Sequence, residues 1–161
     1  MEVCNAIIEL LADYIKIPLT RDEWEKVAND FGAKWQFWNC LGAIDGKHVR
    51  IIKPANSGSR YYNYEGTHSI VLMAIVDANY NFIMVDVGTN GRVSDGRVLY
   101  NGDFWEMFQN NWLNIPDASK LPNTDEKKFP YVFIGNDAFA LSEQLLKPFS
   151  QEDFISDKPN F

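Results

Sequence analysis

The chain has 161 residues and only two cysteines, Cys4 and Cys40, too few for a disulfide framework; a reducing, intracellular setting is the expectation. It has no apolar run near the ~20 residues that span a bilayer, which argues against a membrane helix. The opening MEVCNAIIELLADYIKI has neither a basic start nor a small-residue cleavage site, so it does not read as a secretory signal. Positive charge is scarce: 15 basic residues face 22 acidic ones, for a formal net charge of −7 and a pI near 4.8. Phosphate binding normally shows a basic surplus. A nucleic-acid role therefore needs a local basic patch, a separate basic segment or metal ions that offset the acids. Internal repeats and low-complexity tracts are also missing. What is present, 46% apolar and 14% aromatic residues, suits one globular domain with a sizeable core.

Residues 3–16 carry Ile7, Leu10, Leu11 and Tyr14 at helical spacing, and Pro18 ends the segment. In TRDEWEKVANDFG, Thr20 is an N-cap with Glu23 three residues on, a capping-box pattern; Trp24, Val27, Ala28 and Phe31 follow on one face, and Gly32 is a plausible stop. Residues 42–52 are the first strand candidate. HSIVLMAIVD and NFIMVDVG, separated by Ala78-Asn79-Tyr80, predict an antiparallel hairpin buried on both faces. Gly102 is placed to break the next helical stretch, beyond which Phe104, Trp105, Phe108 and Trp112 share a helix face. A loop holding Pro116, Pro122 and Pro130 leads to YVFIG, a short buried strand before Asn136 and Asp137. AFALSEQLLKPF then predicts a helix stopped near Pro148.

This order implies an α/β fold of ribonuclease-H-like type. It has a mixed sheet of three antiparallel strands plus a parallel fourth beside the first, with flanking helices and an incomplete C-terminal side. Residues 1–38 form an N-terminal helical segment and 39–161 the domain itself. In such a sheet Asp45, inside GAIDGKHVRI, approaches the Asn136-Asp137 pair. Acids gathered there repel unless protonated or bridged by a cation. Hard divalent ions such as Mg²⁺ accept carboxylate oxygens, and a pair of ions can activate water in phosphodiester cleavage. The alternative is that Asp45 is solvated at a strand end or bonded to a turn.

The series NCLGAIDGKHV, YYNYEGTHSIVLMAIVDANY, VDVGTNGRVSDG and DAFAL, running in order from about Glu23 to Phe149, closely resembles the PIF/Harbinger transposase family. That family includes domesticated Harbinger-derived nucleases with a DDE superfamily endonuclease domain. The resemblance implies a catalytic core in which three acids bind a divalent metal, Mg²⁺ or Mn²⁺, and cut DNA. It also implies a nuclear and cytoplasmic location, and leaves room for a DNA-binding partner protein. Asp45 matches the first acid.

The second acid belongs in a segment resembling GDxAF. Here Gly135-Asn136-Asp137-Ala138-Phe139 puts Asn136 at that place and Asp137 one residue later. A one-residue step along a strand reverses the side chain's face, so Asp137 substitutes only where the backbone has already turned. Asp45 and Asp137 are the expected metal ligands, with Asn136 a weaker oxygen donor. The third acid, a glutamate on a later basic helix in the family, has no counterpart: Glu143, Glu152, Asp153 and Asp157 remain without that context. A fragment of a longer protein or a decayed copy would each explain this. Either way, cleavage activity is not expected of this chain alone, and a non-cleaving domain kept for binding protein or DNA is the competing reading.

Other residues have two readings each. His48 and His68 either face the site or pack beside the strands. Lys47 and Arg50 either contact phosphate or line a solvated edge. Tyr61, Tyr62 and Tyr64 either stack on bases or fold onto the core. Ser94 or Asp95 is expected to cap a helix, and Asp77 and Asp86, flanking the hairpin strands, to serve a turn or be solvated at the edge.

Overall fold

The computed structural model describes residues 2–11, 14–122, 124 and 127–148. Helix α1 (Glu2–Leu11) is shorter than its apolar spacing predicts, and Val3, Ile7, Ile8 and Leu10 on it all face solvent. Helix α2 (Arg21–Trp35) carries the anticipated capping box: Glu23 N donates to Thr20 Oγ1 at 3.3 Å, and Thr20 N donates back to Glu23 Oε2 at 3.1 Å. Trp24 is fully buried, its indole N–H donating to the Leu113 carbonyl at 2.8 Å. Gly32 does not stop the helix. The helix runs on to Trp35 and ends at Gln36, whose φ of 55° is left-handed. Gly32 instead leaves room for the Trp38 ring, which a Cβ would overlap.

Strand β1 (Cys40–Arg50) starts buried and ends exposed. Its neighbours are β2 (Ser69–Val76) and, beyond that, β3 (Phe82–Asn90), both antiparallel. The β2–β3 turn is organised by Asp77, whose Oδ1 accepts from Asn79 N and Asn81 N, both at 2.8 Å. That is an Asx-type turn. The hairpin is not buried on both faces: Phe82 and Val87 are about half exposed.

Two short helices, α3 (Asp95–Tyr100) and α4 (Asp103–Gln109), follow on either side of the break at Gly102. The second ends before Trp112, which is left exposed, while Phe104 and Trp105 are buried. A two-strand ribbon, β4 (Ser119–Lys120) with β5 (Lys128–Phe129), occupies the proline-containing loop. Then β6 (Val132–Gly135) enters the sheet parallel to β1, with Ala43 opposite Ile134 and Ile44 opposite Gly135.

The helix expected after β6 is replaced by an extended segment containing β7 (Leu145–Leu146), parallel to β6. Two local effects account for this. Ser142 Oγ accepts from Leu145 N at 3.0 Å, and Phe133 N donates to the Gln144 carbonyl at 2.8 Å. The open edge of β6 thus competes for backbone groups that a helix would use internally. Leu145 is buried and Leu146 partly exposed, the period-two pattern of an edge strand.

The sheet order is therefore β3-β2-β1-β6-β7, the anticipated mixed sheet with one further parallel strand. Phe133 anchors the core, meeting Trp24, Phe104 and Phe108 edge-on at centroid distances of 6.0, 5.6 and 5.8 Å. Cys40 is buried nearby, which pushes its thiol up to about 12.

Candidate functional site

The corner of interest forms where β1 outlasts β6. Pairing with β6 stops at Ile44↔Gly135, whereas pairing with β2 continues to Arg50↔Ser69. Asp45 is the first residue of β1 past that shelter, and Asn136 is the first residue after β6. Parallel register alone brings them side by side. Asn136 Nδ2 donates to Asp45 Oδ1 at 2.9 Å, and Gly46 N donates to the same oxygen at 2.9 Å. The amide orientation is fixed from behind, because Asn136 Oδ1 accepts from Ala138 N at 2.9 Å. Reversing the amide would lose both bonds. Phe139, fully buried against Gly135, holds the turn in place.

Asp137 lies in the same turn, exposed, with its carboxylate 3.5 Å from Lys147 Nζ. Such a solvent-screened pair is worth ~0–1 kcal/mol. Glu143 is exposed on the segment leading to β7. Glu152, Asp153 and Asp157 lie outside the described residues.

Asp95 is the acid whose position the sequence reasoning did not anticipate. Ser94 takes the N-cap position of α3 but makes no side-chain capping bond. Asp95 instead tucks its carboxylate over Gly46, in the space a Cβ would occupy. Its Oδ1 is buried without a hydrogen-bond partner. Burial pushes the Asp95 carboxyl above its ordinary range; nearby His48 pulls it back, and the charge of Asp45 raises it further. Successive side chains on a strand point to opposite faces, so Asp45 and the Asp95 carboxylate over Gly46 lie on opposite pleats. The signal that could have found Asp95 was the glycine after Asp45, which leaves a hole that some other group must fill.

His48 belongs to a polar network. Its Nδ1 lies 2.8 Å from Ser69 Oγ, which also accepts from Asn63 Nδ2 at 3.0 Å. Both Ser69 and Asn63 are buried. Asn63 Oδ1 accepts from Glu65 N, Thr67 N and Thr67 Oγ1, so one buried amide organises the whole loop before β2. His68 packs edge-on against Tyr62, with centroids 5.4 Å apart.

Among the described residues, no group of three or more His, Cys, Asp and Glu side chains is gathered closely enough to hold a metal ion. Both hydrogen bonds to Asp45 fall on one oxygen, and its neighbour Asn136 presents a donor rather than an acceptor. The orphaned Asp95 oxygen is on the other pleat. Among the described residues, this donor set does not fit the multi-carboxylate divalent site that the resemblance implies.

Comparison with known proteins places this geometry in context. A family model described as DDE superfamily endonuclease matches residues 44–160. The Arabidopsis thaliana protein named "Protein ALP1-like" is 30% identical over 113 residues, which cover 69% of this chain and 27% of that protein. The chain thus spans 27% of the curated relative's length. No solved structure matches.

Proposed function

The chain belongs to the DDE superfamily endonucleases, and from that membership we propose that it is a Harbinger-type, transposase-derived nuclease domain that engages DNA with its hydrolytic corner altered. The observation that carries this reading is the 2.9 Å hydrogen bond from Asn136 Nδ2 to Asp45 Oδ1. Two-metal phosphodiester hydrolysis requires carboxylates arranged around the ions. A neutral N–H donor beside Asp45 removes the like-charge repulsion that a cation would relieve. Asp45 is thereby stable as a solvated carboxylate, and among the described residues no group of three or more His, Cys, Asp and Glu completes a metal site around it.

The fold that positioned the chemistry remains, while one of its charges is gone. Binding of the ancestral substrate, DNA, is the activity such a domain retains, and that substrate implies work in the nucleus. With a net charge of −7, the domain needs a local basic strip or a DNA-binding partner protein to hold a polyanion.

The test is a plasmid-nicking assay in Mg²⁺ and in Mn²⁺, with Asp45→Ala as control and DNA retention measured in parallel. The expected result is retention without metal-dependent nicking by the unmodified chain. Robust nicking that disappears in Asp45→Ala would overturn the altered-corner reading.

A further inference from the structure

This acidic chain concentrates positive charge in one place. Between positions 47 and 68 lie Lys47, Arg50, Lys53 and Arg60 against the single acid Glu65, a formal +3 that leaves −10 for the rest of the chain. All four basic residues are exposed, and none is in an ion pair among the described residues. Just beyond them in the chain, Tyr62 and Tyr64 are 49% and 84% exposed.

An exposed tyrosine on a pliant loop would ordinarily fold inward, since burying its ring gains ~25 cal/mol per Å². These two are held outward. Asn63 between them is buried and bonded to Ser69, Glu65 and Thr67. Gly66, at φ 77°, closes the turn by donating its N–H to the Asn63 carbonyl at 3.1 Å. With the central residue anchored, the side chains on either side are turned away from the core. Each ring then leans edge-on against a histidine of the sheet: Tyr64 on His48 at 5.3 Å and Tyr62 on His68 at 5.4 Å. Much of each ring stays exposed, and its ordering cost is already met in the unbound protein.

We propose that this platform takes an unpaired DNA strand, with phosphates along Arg50, Lys53 and Arg60 and bases stacked on Tyr64 and Tyr62. The proposal rests on reading the domain as one that engages DNA, and names the form of DNA. In a duplex the bases already stack on one another. Exposed aromatic rings on a basic segment therefore favour a strand whose base faces are free. His48, which supports Tyr64, is three residues from Asp45, ~10 Å along the strand, and on the opposite face of the sheet. The platform is thus separate from the altered corner.

The test is fluorescence anisotropy on the full chain in EDTA, with a labelled oligothymidylate and a duplex of equal length. We expect the single strand to bind more tightly. Tyr64→Ala should weaken it by about ten-fold, within the range for removing one stacked base, while Tyr64→Phe retains binding. Lys53→Ala should make the logarithmic salt slope shallower by about 0.7, the change for one fewer phosphate neutralised on a single strand. Tyr80→Ala removes a comparably exposed ring, 71%, at the far hairpin turn and should change nothing. Unchanged single-strand binding by Tyr64→Ala, with its melting temperature intact, would overturn the proposal. So would tighter binding to the duplex, which would leave the DNA-engaging reading standing. Binding to neither oligonucleotide would overturn both.

Discussion

Replacing Asn136 with aspartate would put a second carboxylate 2.9 Å from Asp45 Oδ1, where an amide now donates. Two unit charges at that separation repel by about 1.4 kcal/mol in a water-like medium, and Asp45 is exposed enough for that limit to apply. The missing hydrogen bond adds about 1 kcal/mol. At pH 7 in EDTA, Asn136→Asp should therefore lose about 2–3 kcal/mol, a fall in Tm of roughly 5–10 °C for a chain of this size. The bond behind the side chain survives, because an aspartate oxygen can still accept from Ala138 N. Two effects should then reverse the loss. Acid should shrink it, since protonating one of the pair removes the repulsion. A divalent cation should reverse it too, because a ligand at 100 times its Kd stabilises by about 2.7 kcal/mol. Thermal melts of both proteins in EDTA, Mg²⁺ and Mn²⁺ make the comparison. If the variant melts with the parent in EDTA, or gains no more from metal than the parent does, these two tips do not share an ion-binding corner.

Asp95→Asn removes a carboxylate that burial drives above its ordinary range. The folded protein therefore binds that proton more tightly than the unfolded chain. Stability is lost as pH rises from the unfolded value, ~3.9, through the raised one, and stays lost above it. The variant should lack this step and melt about 2–4 °C higher at pH 7, about 1 kcal/mol for one unpartnered buried carboxylate; equal melting would refute it. Thr20→Ala breaks the capping box of α2 and should cost about 1 kcal/mol, seen as a lower urea midpoint at unchanged slope. A midpoint that does not move would mean that the cap contributes nothing to global stability.

The sheet was legible because its hairpin strands announce themselves by apolar content, and because the order strand, hairpin, helix, strand matches a mixed sheet whose fourth strand lies parallel beside the first. The capping box was equally plain. Gly32 and the segment after β6 were misread for one reason: a local pattern has no knowledge of what packs against it. Gly32 makes room for a tryptophan six residues on, and Leu145 prefers the free edge of β6 to a helix of its own. At the site, the sequence placed Asp45 beside Asn136 because adjacency in parallel register follows from topology. It did not place Asp95, whose position depends on a missing Cβ on another strand. Nor did it reveal Asn63, which looked like one polar loop residue among many and is the buried hub of that loop.

The adjacency of Asp45 and Asn136 is enforced by the rungs Ala43↔Ile134 and Ile44↔Gly135, main-chain pairings indifferent to side-chain identity. An architecture secured this way persists when its reactive groups drift. A lineage could exchange an acid for an amide at this spot and still inherit an intact scaffold, open to whatever later use its surface permits.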